Sequence, residues 1–164
     1  MSWLFCHRSR VVDGIVETVD QDRGDRWVEI RDGAFDPWSE LGRWQGAAAA
    51  CALFVGRVRA TAMDGGPLQA LELEHAPGLC ERRMMEMVQR LQLEHAAGPV
   101  LVLHRVGRLT PGEPIVLVAV QADRRGAAQR CCHALLEELK HHAPFWKREW
   151  SAGQGTWLTG NTPL

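Results

Sequence analysis

Ten consecutive residues near the end of the chain, Lys140-His141-His142-Ala143-Pro144-Phe145-Trp146-Lys147-Arg148-Glu149, hold five side chains able to carry positive charge, two large aromatics and a proline. Lysine is the residue type that can both polarise a carbonyl and, when like charge and burial pull its pKa down, move a proton. The elements around the run decide whether its lysines meet. Ala128, Cys131, Cys132, Leu135, Leu136 and Leu139 recur at the three-and-four spacing of an amphipathic helix, which places Lys140 in that helix's last turn. Pro144 forces the exit, and the residue before a proline favours extended geometry, so Phe145, Trp146 and Lys147 leave as a short rigid segment. Lys140 and Lys147 then converge. The same residues also admit a bland reading, with Lys and His complementing the negative end of the helix dipole, and Phe145 and Trp146 in the core.

A second basic group lies upstream. Ala47 to Val58 (AAAACALFVGRV) is an apolar run of small residues bounded by Gly46 and by the turn chemistry of Met63-Asp64-Gly65-Gly66-Pro67, which predicts a buried strand. Arg57 and Arg59 flank Val58 at its end, and period two sets both guanidiniums on one face as a fork for an oxyanion. A solvent-facing edge is the alternative.

Composition limits what such a site can serve. With 164 residues, 46% of them hydrophobic, the chain has the material for one domain with a sizeable core. A net charge of −1 and a pI near 6.6 argue against a general nucleic-acid binder, so positive charge must act locally. Cys6, Cys51, Cys80, Cys131 and Cys132 form no C-x-x-C pair, which points to thiols rather than a metal or redox centre. Cys131 and Cys132 are adjacent on the predicted helix, where at most one is expected to face the core squarely. No cofactor is called for. No apolar run approaches a membrane span and Met1 to Arg10 lacks a signal-peptide core, so the expectation is a soluble, cytoplasmic protein.

In chain order, residues 1–27 read as an extension of unknown role, either a strand pair or a short helix, and 28–164 as the domain. Trp27 to Arg31 alternates as a strand, and Asp36-Pro37 starts a short helix through Trp44. Leu68 to His75 is a strand. A helix follows Pro77-Gly78 to about His95, with Cys80, Met84, Met87, Val88 and Leu91 as its inner stripe. Pro99 to Gly107 and Pro114 to Ala122 bracket the turn Thr110-Pro111-Gly112-Glu113 as a hairpin. The long helix opens at Gly126, and Trp157-Leu158 closes the chain with a short strand. This order gives an α+β class with mixed or antiparallel pairing.

Four passages, in order, resemble the MoaE family, the large catalytic subunits of molybdopterin synthase. They are Phe54-Val55-Gly56-Arg57-Val58-Arg59, Leu73-Glu74-His75-Ala76-Pro77-Gly78, His104-Arg105-Val106-Gly107 with Gly112-Glu113, and Leu139-Lys140 through Ala143-Pro144-Phe145-Trp146-Lys147-Arg148-Glu149. The resemblance spans residues 28 to 158 and implies the α/β-hammerhead fold. It also implies a sulfur transfer: a ubiquitin-like small subunit brings a C-terminal Gly-Gly thiocarboxylate, and its sulfur is added to cyclic pyranopterin monophosphate to build the molybdopterin dithiolene. On this resemblance Lys140 and Lys147 are catalytic. Arg57, Val58, Arg59, Arg124, Arg125, Lys140, Lys147, Arg148 and Glu149 bind substrate, with Glu149 holding a lysine by charge pairing. The implied assembly is a homodimer within a heterotetramer, with neither nucleic acid nor membrane as partner. Departures from the family pattern fall at Ala76, Arg124, Gln129 and Asn161, the second of these replacing a histidine. A non-catalytic homologue that binds a ubiquitin-like tail or a phosphorylated ligand is the alternative function.

Overall fold

A computed structural model describes residues 10–12, 15–17, 26–44 and 46–158. Asn161 lies outside them. Near the start, β1 (Arg10–Val12) and β2 (Ile15–Glu17) pair antiparallel, the strand-pair form of the two readings of this stretch.

The main sheet has the order β3-β6-β8-β4, from β3 (Arg26–Arg31), β4 (Ala50–Arg57), β6 (Val100–Arg105) and β8 (Pro114–Ala122). β3 runs parallel to β6 and the other pairs are antiparallel, which is the mixed pairing expected. Alternation sorts its side chains cleanly. Val100, Val102, Val118 and Val120 pack under α2 (Leu79–His95) and α3 (Arg125–His142), while Leu101, Leu103, Leu117 and Ala119 pack on the opposite face with Phe35 and residues of α1 (Pro37–Arg43). Because both faces of β6 are covered, all six of its residues are buried, His104 and Arg105 included.

The helices form where their caps and stripes dictate. Asp36 accepts the Ser39 N–H at 3.0 Å as the N-cap of α1, with Pro37 at the first helical position. The stripe of α2 is buried as its spacing predicts. On α3, however, Cys131 and Cys132 are both buried. The helix is wedged between α2 and the sheet strands β4 and β8, so neighbouring positions find cover on different sides. Burial pushes both thiols up to about 11 and Cys80 to about 12, which leaves them protonated at neutral pH.

The hairpin of the sequence reading is interrupted. At Gly107 the backbone takes φ +85°, a conformation glycine adopts at little cost, and the chain turns out of the main sheet into β7 (Gly107–Leu109). β7 is one edge of an antiparallel second sheet, β10-β9-β5-β7, with β5 (Ala70–His75), β9 (Phe145–Ser151) and β10 (Gln154–Trp157). Leu73, Leu109, Val58, Leu68 and Val106 fill its inner side.

An ion pair locks the turn between β7 and β8. Buried Arg105 donates to Glu113 at 2.7 Å, and Glu113 also accepts the Thr110 N–H at 2.6 Å. The amide contact and the guanidinium together hold the Glu113 carboxyl down at about 2. The turn in turn fixes Val58, whose N–H donates to the Glu113 carbonyl and whose carbonyl accepts from Gly112. Glu113→Gln should lower stability in denaturant titration by about 1–2 kcal/mol, the cost of replacing a charge-assisted bond to a buried guanidinium with a neutral one. The folded pKa lies below the unfolded one, so Glu113 stabilises fully above about pH 4.5 and progressively less as pH falls towards 2. The acid limb of the stability curve should therefore flatten in the variant.

Candidate active site

β9 departs from ordinary strand patterning. Phe145, Lys147 and Glu149 face one way and Trp146, Arg148 and Trp150 the other, as their cross-strand partners on β5 require: Lys147 lies opposite Leu73 and Glu149 opposite Leu71, on the side of the second sheet's core. Charged residues thus point inward. α3 ends at His142, and the cap residue Ala143 is extended at φ −75° and ψ 132°, so β9 starts immediately and brings Lys147 back against the helix end that carries Lys140.

Lys147 titrates below an ordinary lysine. Desolvation is the main cause, and the positive charges of Lys140 and Arg59 add to it. These three side chains come from α3, β9 and the segment after β4, and they make a partly buried cationic pocket. Glu149 anchors the third. Its carboxylate, 7% exposed, accepts from Arg59 Nη2 at 2.8 Å and from the Met63 N–H at 2.8 Å. The contacts of Glu149 thus fix Arg59 and the 60–67 turn, a different task from the lysine pairing expected of it.

Other expected site residues lie elsewhere. Arg57 does not join Arg59 in a fork: the register of β4 shifts between Gly56 and Arg57, and Arg57 donates to the Gly112 carbonyl at 3.0 Å. Val58 is core, with both backbone polar groups taken by the 110–113 turn. Arg148 is on the outer face of its sheet, where it makes a two-point ion pair with Glu72, at 3.0 and 2.8 Å, and its guanidinium stacks on Trp150 and Trp157. Arg124 is the N-cap of α3 and Arg125 its first residue, both exposed. At 1.5 Å per residue they stand about 23 Å along the helix from Lys140, more than two Debye lengths at physiological salt.

Two residues not assigned to the site from the sequence adjoin it. His104 is buried on β6 and stacks on Phe145, with ring centroids 3.9 Å apart and planes inclined by 15°. His75 lies opposite Phe145 on β5 and 3.7 Å from Glu81. The signal for His104 is in the sequence: its ring, followed by Arg105, interrupts the apolar run PVLVL.

Chemically, the pocket can neutralise an anion, polarise a carbonyl with a lysine ammonium, and exchange a proton through Lys147 nearer neutrality than a free lysine would. The described residues contain no group of three or more metal-binding side chains. None of the described helices is long and apolar enough to cross a membrane.

Comparison with known proteins gives this geometry a context. The family model described as "MoaE protein" matches residues 31–142. A relative from Ralstonia nicotianae, the "Molybdopterin synthase catalytic subunit", is 35% identical over 134 residues, covering 80% of this chain and 76% of that protein. Among solved structures, the "Molybdopterin biosynthesis MoaE protein" from Burkholderia ambifaria superposes with a TM-score of 0.71 at 32% identity, over 84% of this chain and 91% of that one. A Helicobacter pylori chain, from a structure named as the protein-protein complex of subunits 1 and 2 of molybdopterin-converting factor, shares the fold. Its TM-score is 0.67 at 21% identity, over 80% of this chain and 90% of that one.

Proposed function

The chain belongs to the MoaE family, the catalytic subunits of molybdopterin synthase, and we propose that Lys140, Lys147 and Arg59 are the groups with which it transfers sulfur to a pterin. The observation that carries this reading is the convergence of the three cations from separate elements, with Lys147 desolvated among them.

The chemistry asks for such a pocket. Donor and acceptor are both anions, a thiocarboxylate tail and the phosphate of cyclic pyranopterin monophosphate, and they repel unless fixed positive charge is supplied in a site of low dielectric. Arg59, always charged and held by Glu149, supplies it without titrating. Lys140 faces the thiocarboxylate carbonyl and polarises it. Lys147 exchanges the proton at the pterin. Each transfer forms one carbon–sulfur bond on the pterin in place of a carbon–oxygen bond there, the displaced oxygen leaving with the opened cyclic phosphate or as water. Water takes the place of sulfur at the acyl carbon, so the tail leaves as a carboxylate. Two transfers complete the dithiolene.

The partner is a ubiquitin-like small subunit with a C-terminal Gly-Gly thiocarboxylate, and the large subunits pair as a homodimer inside a heterotetramer. A helix length from Lys140 in their own chain, Arg124 and Arg125 would serve a pterin pocket across the boundary between paired subunits. Protonated, unpaired cysteine thiols among the described residues suit a reducing cytoplasm. The decisive assay combines the chain with a thiocarboxylated small subunit and the pyranopterin. Dithiolene product is expected; binding of both without product would leave the non-catalytic alternative.

Arg124→His tests the assembly. With the partner's arginine beside the pterin phosphate, removing one fixed charge should flatten the salt dependence of pterin affinity while activity survives. An unchanged salt dependence would put Arg124 in solvent.

A further inference from the structure

His104 belongs to β6 of the main sheet, whereas Lys147 belongs to β9 of the second sheet, and Phe145 joins them. The imidazole lies flat on the Phe145 ring, with centroids 3.9 Å apart, and its Nδ1 is 2.9 Å from the Arg105 carbonyl, so the ring is fixed both in plane and in tilt. Phe145 is where β9 begins, one residue past Pro144, and Lys147 follows on the same face of the strand. We propose that His104 is a positioning residue for Lys147: by stacking on Phe145 it anchors the start of β9, so that the Lys147 ammonium enters the pocket beside Lys140 and Arg59 rather than turning to water. This rests on the reading of Lys147 as the proton-transferring group.

A plain hydrophobic residue would fill the space but leave the Arg105 carbonyl without this donor. A cationic one would repel Lys147. Burial, with Lys147 and His75 nearby, lowers His104 to about 4, so it is a neutral ring at every working pH. The groups near Lys147 include Lys140 from α3, Arg59 from the segment after β4, neutral His104 from β6, and Glu149 on its own strand, bound to Arg59. His75 on β5 faces His104. His104 therefore acts on Lys147 through position and not through a change in its own charge.

The experiment reads the Lys147 amine directly, by NMR titration of its ε-methylene in the full chain, alongside kcat, KM for the small subunit and the pH-rate profile. In His104→Ala the Lys147 pKa should rise towards that of an ordinary lysine. Its kcat should fall about ten- to a hundredfold as the amine is displaced, with KM for the small subunit little changed. His104→Phe, which keeps a stacking ring, should restore most of both. Phe145→Leu removes the stack from the other side and should give the same upward shift, which keeps the test open if His104→Ala does not fold. An unmoved Lys147 titration in Phe145→Leu and in folded His104→Ala overturns the inference, as does a His104→Phe variant as displaced as the alanine. A shifted Lys147 with an unchanged rate would uphold the positioning role and remove Lys147 from the chemistry instead.

Discussion

Replacing Lys147 by alanine is expected to cut the rate of dithiolene formation by about a hundred- to ten-thousandfold, the contribution typical of a positioned acid or base. The loss should appear in a single turnover with preassembled small subunit, because binding of the tail also draws on Lys140 and Arg59. Folding should persist. Lys147 is only partly buried, and its removal relieves repulsion from two neighbouring cations rather than opening a core cavity. A desolvated lysine is costly when charged, so thermal stability should hold or rise slightly. Lys147→Ala turning over at the wild-type rate would exclude it as the proton-transferring group.

Lys140→Ala should be nearly as severe, about a hundred- to a thousandfold, the effect of removing one donor from a site that stabilises developing negative charge. It carries a second signature. Since Lys140 is one of the charges that depress Lys147, its loss should let the Lys147 pKa climb, and the rise of rate with pH should move upward. Arg59→Ala should move it in the same direction. A Lys140→Ala enzyme with lowered rate and an unmoved pH profile would mean that the two lysines act in separate places.

Much of the frame was legible because its periodicities are undisturbed. The stripe of α2, the β-branched runs of β6 and β8, the Asp36-Pro37 start of α1 and the Pro144 stop of α3 each follow from local chemistry, and each stands where expected. β9 was harder. Its inner face carries Lys147 and Glu149 and its outer face Trp146 and Trp150, the reverse of the pattern by which strands are recognised, because this strand turns a functional face inward. Arg148 accordingly reads with the pocket alongside its neighbours, although adjacent residues on a strand face opposite ways.

Long-range geometry explains the remaining differences. Arg57 and Arg59 share a face only in an unbroken strand, and the shift at Gly56 breaks it. Arg124 and Arg125 share a site with Lys140 only between subunits, because the helix separating them in one chain is long, a distance that rise per residue alone supplies. The partners of Glu149, across 90 residues to Arg59 and 86 to Met63, have no local signature at all.

The most direct test is a crystal structure of the chain with its small subunit bound. The account predicts that the tail's terminal carboxylate, standing in for the thiocarboxylate, ends in the pocket with an oxygen about 2.7–2.9 Å from the Lys140 ammonium, Lys147 beside it and Arg59 still on Glu149. A tail ending away from Lys140 and Lys147, at the outer face around Arg148 or elsewhere, would contradict it.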